Sequence, residues 1–285
     1  MQKEIFYSSS AQVLNSPQKQ EDKLFVKKST QTTKNRLFQN LINFPRQITD
    51  VEGFFLDLWS ARVEHFRLSF DSVYCGKEKS FGDGSTVVIL PGFGTWRWWY
   101  QDTQQYLENA GFKPVAYFPR LNNFGSWIDM FDGSLEFLAK LNAASESKPN
   151  VIAHSLGAYL MRIAAEETPT LLEANCRNIF LVGAPLPDHV NIVIETGFLL
   201  SQLPFAQRQV DEFIFRLNNL KGTPKLNGVK VFEIESQNDL IVASRQDIRR
   251  ENTVFFKSSH SALLKDPDVL GFISKKLAAN LAAAA

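Results

Sequence analysis

A serine with small residues two positions to either side stands where a buried strand is predicted to turn into a helix. Residues 151–153 are apolar and predict the end of a strand, and the apolar spacing over 156–167 predicts a helix. Ser155 lies between them in the pattern Ala-His-Ser-Leu-Gly, where a sharp turn lifts the hydroxyl above the sheet edge. Such a hydroxyl attacks a carbonyl carbon if a base takes its proton. The alternative is a small-residue turn without a chemical role.

The chain has four histidines from which that base can come. His65 lies upstream of the predicted sheet, and we expect it to be structural. His154 adjoins the serine, but its place in the turn points its side chain elsewhere, and His189 stays an alternative. His260 follows the last predicted strand, at the edge of the sheet where Ser155 also lies. We therefore predict that His260 is the base.

The base needs an acid that orients its ring, and in this arrangement the acid lies between serine and histidine in chain order. Asp239 follows the predicted strand 229–235 and opens at the same edge of the sheet. We predict that Asp239 is this acid. Glu235, still within the strand, and Asp188, at the start of an insertion, are the alternatives.

Two backbone N–H groups are expected to bind the negative oxygen that develops during attack on a carbonyl. The first is that of Leu156, which begins the predicted helix and has no partner within it. The second is that of Phe93, in the glycine-rich loop 91–94 after the predicted strand 86–90. An ordinary glycine-rich turn is the alternative for this loop.

Short apolar strands alternate with amphipathic helices from residue 85 onward, which predicts a mostly parallel sheet covered by helices on both faces. The predicted strands are 86–90, 113–117, 151–153, 178–182, 229–235 and 253–257, and the predicted helices are 98–110, 127–141, 156–167 and 266–281. We place this α/β domain at residues 51–285.

An insertion at about 186–227 interrupts the alternation with two apolar predicted helices. An insertion at the carboxyl edge of a sheet overhangs the site there, so we expect a helical cap. Its Phe198, Leu199 and Phe205 are predicted to line a substrate pocket, together with Trp96 after the glycine loop. Packing of these residues in the core is the alternative.

The polar residues 1–50 have no sustained period and are predicted to be a disordered or irregular extension, with an organelle transit segment as the alternative. Apolar residues then follow at helical spacing and predict a helix over 50–70, with Asp50 as its N-cap. This helix either packs on the core or lies on a lipid surface.

Composition narrows the class of protein. A net charge of +1 argues against a nucleic-acid partner. The 2 cysteines lack the spacing of metal ligands, and we expect neither a metal nor a cofactor. No apolar run is long enough to span a bilayer, and the first residues are unlike a secretory signal. We expect a cytoplasmic protein, leaving peripheral membrane contact and organelle import open, and composition does not indicate the oligomeric state.

Four segments together resemble the α/β-hydrolase superfamily, and more closely its lipases and esterases. They are residues 90–94, 153–157, 238–242 and 259–261, and the resemblance extends over about 85–281. Pro91-Gly92 stands where the family usually has His-Gly, and Ala153 stands where it usually has glycine. The resemblance implies an α/β-hydrolase fold with a helical cap and no cofactor.

The resemblance also implies roles: Ser155 as nucleophile, His260 as general acid and base, Asp239 as orienting acid, and Phe93 and Leu156 as oxyanion donors. The expected reaction is the hydrolysis of carboxylic esters. The aromatic run over 95–100 and the apolar cap favour acyl lipids as substrates. A thioesterase or amidase with the same triad, and a non-catalytic hydrolase-like protein that binds an apolar ligand, are the alternatives.

Overall fold

The structure is a computed structural model that describes residues 44–78, 80–118, 127–184, 215–216, 219–220, 223–239 and 252–282, with the backbone alone for 44–54 and 280–282. The chain divides into two compact units, Met1–Thr49 and Asp50–Ala285. Nearly all of the first unit lies outside the described residues, as does most of the predicted cap. The second unit contains the sheet.

Six parallel strands form one sheet in the order β2-β1-β3-β4-β5-β6. The strands are β1 (Thr86–Leu90), β2 (Lys113–Ala116), β3 (Asn150–His154), β4 (Asn178–Val182), β5 (Lys230–Ser236) and β6 (Thr253–Phe256). The helices are α1 (Phe44–Leu68), α2 (Gln101–Asn109), α3 (Trp127–Ala143), α4 (Leu156–Glu167), α5 (Pro169–Asn175) and α6 (Pro267–Ala282), and two 3₁₀ helices cover Arg97–Tyr100 and His260–Lys265. The predicted parallel sheet is confirmed.

Alternate residues along each strand pack into two apolar layers, one on each face of the sheet. Val88 and Val151 belong to the layer covered by α3, α4 and α5. Ile89 and Ile152 belong to the layer covered by α2 and α6, to which Leu68 of α1 also contributes. Because successive strand residues point to opposite faces, a strand buried on both faces has an uninterrupted apolar sequence. The prediction of helices on both faces is confirmed.

Several helix boundaries differ from the sequence prediction. Helix α1 begins at Phe44 rather than at Asp50. The predicted helix 98–110 is a 3₁₀ turn followed by α2. Helix α5, with a proline in its first turn, and the 3₁₀ helix at His260 were not predicted, since elements of 6 and 7 residues are too short to show a helical period.

The strand order brings the loops of interest to one edge of the sheet. Strand β2 lies outside β1, so the connections after β1 and β3 run to opposite faces and leave a crevice at their carboxyl ends. Leu90 pairs with Ala153, and His154 pairs with Val182. The glycine loop, the serine turn and the start of the next loop therefore lie side by side.

Among the described residues, the helices are all too short or too polar to cross a membrane.

Candidate active site

Ser155 occupies a strained turn between β3 and α4. Its φ of 52° and ψ of −114° lie in a region that residues other than glycine rarely adopt. Such a conformation costs on the order of 1–3 kcal/mol and persists only where the surroundings impose it. Here the Ser155 N–H donates to the Val182 carbonyl at 2.9 Å, and the Ser155 carbonyl accepts from Tyr159 in α4 at 3.0 Å. The turn is thus fixed on both sides of the serine.

Two glycines lie where space around this turn is limited, and at position 157 the approach of backbone requires glycine. A Cβ at position 157 would lie 2.6 Å from the Leu90 carbonyl oxygen, so α4 passes directly over the end of β1. A Cβ at position 92 would lie 3.1 Å from the Cβ of Ser155. The loop that contains Phe93 therefore lies against the serine, as the oxyanion prediction requires.

His260 and Asp239 form a buried pair. Nδ1 of His260 lies 2.7 Å from Oδ2 of Asp239, and the two side chains are 4% and 1% exposed. A carboxylate only accepts, so Nδ1 carries the proton and donates it to Asp239. In the neutral ring Nε2 is then left as an acceptor for a hydroxyl proton. This is the pairing that the sequence predicted for these two residues.

The imidazole of His260 lies beside the serine turn. A Cβ at position 183 would lie 3.1 Å from Cε1 of His260. Gly183 directly follows Val182, whose carbonyl accepts the Ser155 N–H. The ring of His154, next to the serine, has its centroid 5.3 Å from that of His260. His260, Asp239 and Ser155 are thus brought to one edge of the sheet.

Short hydrogen bonds tie the loop that contains Asp239 to the loop that contains His260. The Ser236 hydroxyl donates to the Ser258 carbonyl at 2.5 Å and accepts from the N–H of Asn238 at 3.0 Å. The Asn238 amide donates to the Lys257 carbonyl at 2.5 Å. These bonds fix Asp239 relative to His260.

His154 connects the glycine loop to the loop of His260. Its Nε2 lies 3.3 Å from the His260 carbonyl, which only accepts, so Nε2 carries the proton. Nδ1 then accepts from the Tyr100 hydroxyl at 3.0 Å, and Tyr100 accepts from the Gly92 N–H at 2.8 Å. Both ring nitrogens of His154 are thus engaged by partners other than Ser155. The sequence did not reveal the connection through Tyr100.

The titration of the two neighbouring histidines differs because their surroundings differ. Burial, with His260 as a second cause, lowers the pKa of His154 to about 3, so this ring stays neutral. Burial also acts to lower the pKa of His260, but the charge and hydrogen bond of Asp239 outweigh it, and the pKa lies above its ordinary value of 6.5. The two rings, whose centroids are 5.3 Å apart, are therefore perturbed in opposite directions.

The remaining predicted site residues are placed as follows. Leu156 begins α4, and Phe93 packs against one apolar layer of the core. Trp96 is 45% exposed, next to the glycine loop. Phe198, Leu199 and Phe205 lie outside the described residues, as do the alternatives Asp188 and His189.

Two further residues considered from the sequence have clear surroundings. Glu235 is buried on β5 and does not replace Asp239 as the partner of His260 Nδ1. His65 was expected to be structural, and its Nδ1 lies 2.9 Å from Oδ2 of Asp102. Within the described part of the chain, no group of three or more histidine, cysteine or acidic residues could hold a metal ion.

The arrangement combines a parallel sheet in the order β2-β1-β3-β4-β5-β6 with a glycine loop after β1 and a serine elbow after β3. An aspartate follows β5 and a histidine follows β6, in the chain order of α/β-hydrolases. The chain has the α/β-hydrolase fold.

No protein-family model and no curated protein matches the sequence. Solved structures similar to the chain include a monoacylglycerol lipase from Paleococcus ferrophilus, 14% identical with a TM-score of 0.49, which covers 68% of this chain and 94% of its own. An esterase from Exiguobacterium antarcticum is 15% identical with a TM-score of 0.46, and the match covers 70% of this chain and 92% of the esterase. A soluble variant of monoglyceride lipase from Saccharomyces cerevisiae is 12% identical with a TM-score of 0.48, covering 70% and 86%. At these values the likeness carries no argument about reaction or substrate.

Proposed function

We propose that the chain is a serine hydrolase that cleaves carboxylic esters through an acyl-enzyme. One observation carries the proposal: the buried hydrogen bond between Asp239 and His260 lies beside a serine held at positive φ between a strand and a helix. Neither feature is needed for folding alone, since the elbow costs conformational energy and the buried charge costs hydration. Both are what activation of a serine hydroxyl requires.

In the proposed reaction, Oγ of Ser155 attacks the carbonyl carbon while Nε2 of His260 takes its proton. The carbonyl oxygen becomes an oxyanion bound by the N–H groups of Phe93 and Leu156. Asp239 stabilises the imidazolium, which then gives its proton to the leaving alcohol oxygen. A water molecule, deprotonated by the same ring, releases the acid and regenerates the serine.

A fluorophosphonate probe tests the chemistry, because it forms a covalent bond only with an activated nucleophile. We expect the wild type to be labelled and Ser155→Ala to be unlabelled, with ester hydrolysis lost in parallel. Ser147→Ala, on the exposed turn after α3, is the matched control and keeps full labelling. A folded wild type that is not labelled would overturn the proposal.

We propose acyl lipids as the substrate class. Trp96 and Trp98, 45% and 55% exposed, follow the glycine loop and present apolar surface close to the oxyanion donors. An acyl chain gains about 0.8 kcal/mol for each methylene that leaves water, so such surface favours long chains. The expected result is a higher kcat/KM for long-chain than for acetyl esters of one alcohol. The reverse order would contradict this proposal. The kcat/KM for thioesters and amides of the same acyl group shows which bond is cleaved fastest.

We also propose that the exposed face of α1 contacts a lipid surface. Large apolar side chains form a stripe on it and in the turn that follows, hereafter the aromatic stripe: Phe55, Leu56, Trp59, Val63, Phe66 and Phe70, each 45% to 72% exposed. At 3.6 residues per turn the five that belong to α1 occupy an arc of about 100°. The exposed Arg62 flanks this arc and complements anionic headgroups. Trp and Phe beside basic residues are typical of helices that lie in a membrane interface.

A further inference from the structure

We propose that Asp57, on helix α1, is a positioning residue for His260. Helix α1 precedes the first strand and is no part of the parallel sheet that carries the triad. The inference rests on the proposed function, since it concerns the catalytic histidine of that proposal. It gives the segment before the sheet a task in the reaction.

Asp57 is hydrogen-bonded to the residues on either side of His260. Its two carboxylate oxygens lie 3.2 and 3.1 Å from the N–H of Ser261 and accept from it. The Ser259 hydroxyl donates to the Asp57 carbonyl at 3.2 Å. The residues immediately before and after the histidine are thus both bonded to one residue of α1.

Burial makes these contacts consequential. Asp57 is 0% exposed and stands on the inward face of α1, where Ala61 and Leu68 are 1% and 0% exposed. An apolar residue would serve packing better at this position, because a buried carboxylate loses its hydration unless hydrogen bonds replace it. The replacement comes from the loop of the catalytic histidine. A charged residue on the core-facing spacing of α1 is the signal by which the sequence could have revealed it.

The loop is held from a second side as well. The His260 carbonyl accepts from Nε2 of His154 at 3.3 Å, at the end of β3. Asp57 therefore holds the N–H of Ser261 on the α1 side while His154 holds the carbonyl of His260 on the β3 side. The side chain of His260 is fixed in turn by Asp239. Removal of Asp57 releases one of these three restraints.

The charge of Asp57 acts on the imidazole in the same direction as that of Asp239. The titratable groups that face His260 are Asp239 and Glu235 on the β5 side, the neutral His154 at the end of β3, and Asp57 on α1. Burial lowers the pKa of His260, and the charges of Asp239 and Asp57 raise it by favouring the imidazolium. Loss of the Asp57 charge therefore lowers the pKa of His260.

Two variants of Asp57 separate position from charge. Asp57→Ala removes both the acceptor and the charge, whereas Asp57→Asn keeps the shape and one acceptor for the Ser261 N–H. Leu68→Ala, on the same face of α1, is the matched control, because it removes buried apolar packing but neither a charge nor a hydrogen-bonding group. The measurements are kcat and KM on a soluble ester, the thermal midpoint, and the pKa of His260 by NMR of histidine-labelled protein, with the His260→Gln spectrum as assignment.

We expect Asp57→Ala to lower kcat ~10- to 100-fold with KM within about twofold of wild type, the usual consequence of a misplaced catalytic group. Asp57→Asn recovers most of kcat. Both variants lower the pKa of His260 and shift the acid limb of the pH profile to lower pH. Leu68→Ala lowers the thermal midpoint and leaves kcat and this pKa unchanged.

Asp57 variants that lose stability like Leu68→Ala but keep the wild-type kcat and His260 pKa would overturn the inference. Failure of the proposed function is a different result. In that case the wild type neither hydrolyses esters nor reacts with the fluorophosphonate, while the NMR titration still reports whether Asp57 acts on His260.

Discussion

Asp239 and Glu235 both lie near His260, but their hydrogen bonding differs. Asp239 is bonded to the imidazole at 2.7 Å. Glu235 is 4% exposed, and its Oε1 has no hydrogen-bond partner. Arg162, a nearby cation, forms an ion pair with Glu233 at 2.6 Å. Burial first, and the charges of Glu233 and Asp239 after it, raise the pKa of Glu235 to about 8. Glu235 is therefore mostly protonated at neutral pH and is not suited to stabilise an imidazolium, whereas Asp239 is bonded to the ring.

Replacement of Asp239 tests its role directly. Asp239→Asn removes the charge and allows the imidazole to adopt the wrong tautomer, so we expect kcat/KM to fall by ~10³–10⁴-fold. Glu235→Gln is the matched control and should change kcat/KM by less than about tenfold, because a neutral acid is replaced by a neutral amide. Steady-state kinetics on one ester measures both variants. Equal losses would assign the orienting role to both carboxylates.

The ionisation of Glu235 also predicts a dependence of stability on pH. Its pKa is about 8 in the folded protein against an ordinary 4.5, so the folded state binds the proton more tightly. The stabilisation from this group is complete below pH 4.5 and is lost as the pH rises to 8, at about 1.4 kcal/mol per pH unit. Glu235→Gln removes this loss. Urea unfolding at pH 4.5 and at pH 8 measures the free energy of unfolding of both proteins. The variant should be more stable relative to the wild type at pH 8 than at pH 4.5. A constant difference would contradict the raised pKa.

Three candidate site residues could be picked out from the sequence because their types are chemically distinctive and each follows a strand. Ser155, Asp239 and His260 all come after apolar runs that end in turn residues. The supporting residues could not be found in this way. Tyr100 and His154 lie 54 positions apart in the sequence, and their hydrogen bond depends on how β1 and β3 pair. Without a structure, nothing in the sequence separates this tyrosine from an ordinary core aromatic.

At the scale of elements, the elbow depends on the approach of α4 to the end of β1. Gly157→Ala places a Cβ 2.6 Å from the Leu90 carbonyl oxygen, and backbone must move to relieve the overlap. We expect a loss of about 1–3 kcal/mol in the free energy of unfolding, and lower activity because the Leu156 N–H moves with the helix. Denaturant unfolding and probe labelling measure the two effects.

A second helical glycine provides the control for this substitution. A Cβ at Gly271 in α6 would have its closest neighbour, the Tyr106 hydroxyl, at 3.6 Å, which is an ordinary contact. Gly271→Ala should therefore stabilise the protein by roughly 0.5–1 kcal/mol through the better helix propensity of alanine. If both alanine variants behave alike, close approach is not what requires glycine at position 157.

Strand positions followed from the sequence more closely than helix ends did. Strands β1 and β4 lie at the predicted residues, because an apolar run buried on both faces is bounded on both sides by polar or turn residues. The start of α1 was wrong by six residues, since the apolar spacing that defines a helix on a core fades in the polar turns before Asp50. Apolar periodicity in a sequence indicates which residues are buried, and the first turns of a helix can form without burying any.

At the scale of the whole molecule, parallel strands were predictable and their order was not. Alternation of strands with helices requires parallel crossovers, but the same alternation is compatible with several orders of strands. The order in which β2 flanks β1 is set by which helices pack together on each face, and this involves contacts far apart in the chain. The sequence therefore predicts that the candidate site residues lie at one edge of the sheet, but not which strands are neighbours along that edge.

Helix α1 joins two surfaces of different character. Its inward face carries Asp57, bonded to the loop of His260, and its outward face carries the aromatic stripe. A lipid surface that binds the stripe would hold the helix close to the place where an acyl substrate leaves the bilayer. Burial of apolar side chains in the interface, with attraction of Arg62 to anionic lipid, supplies the binding energy.

Sedimentation with phospholipid vesicles tests the aromatic stripe. Full burial of a large apolar side chain contributes about 1.5–3 kcal/mol, so partial burial of two should account for ~10- to 100-fold in the partition coefficient. We expect the double variant Trp59→Ser, Phe66→Ser to lose that factor on vesicles of phosphatidylcholine and phosphatidylglycerol, and the wild type to bind less without phosphatidylglycerol. Phe81→Ser, at an exposed aromatic residue outside the stripe, is the control and binds normally. Size-exclusion chromatography completes the test: if the wild type ignores vesicles but elutes as a dimer that the double variant dissociates, the stripe binds a second copy of the chain and the lipid proposal is wrong.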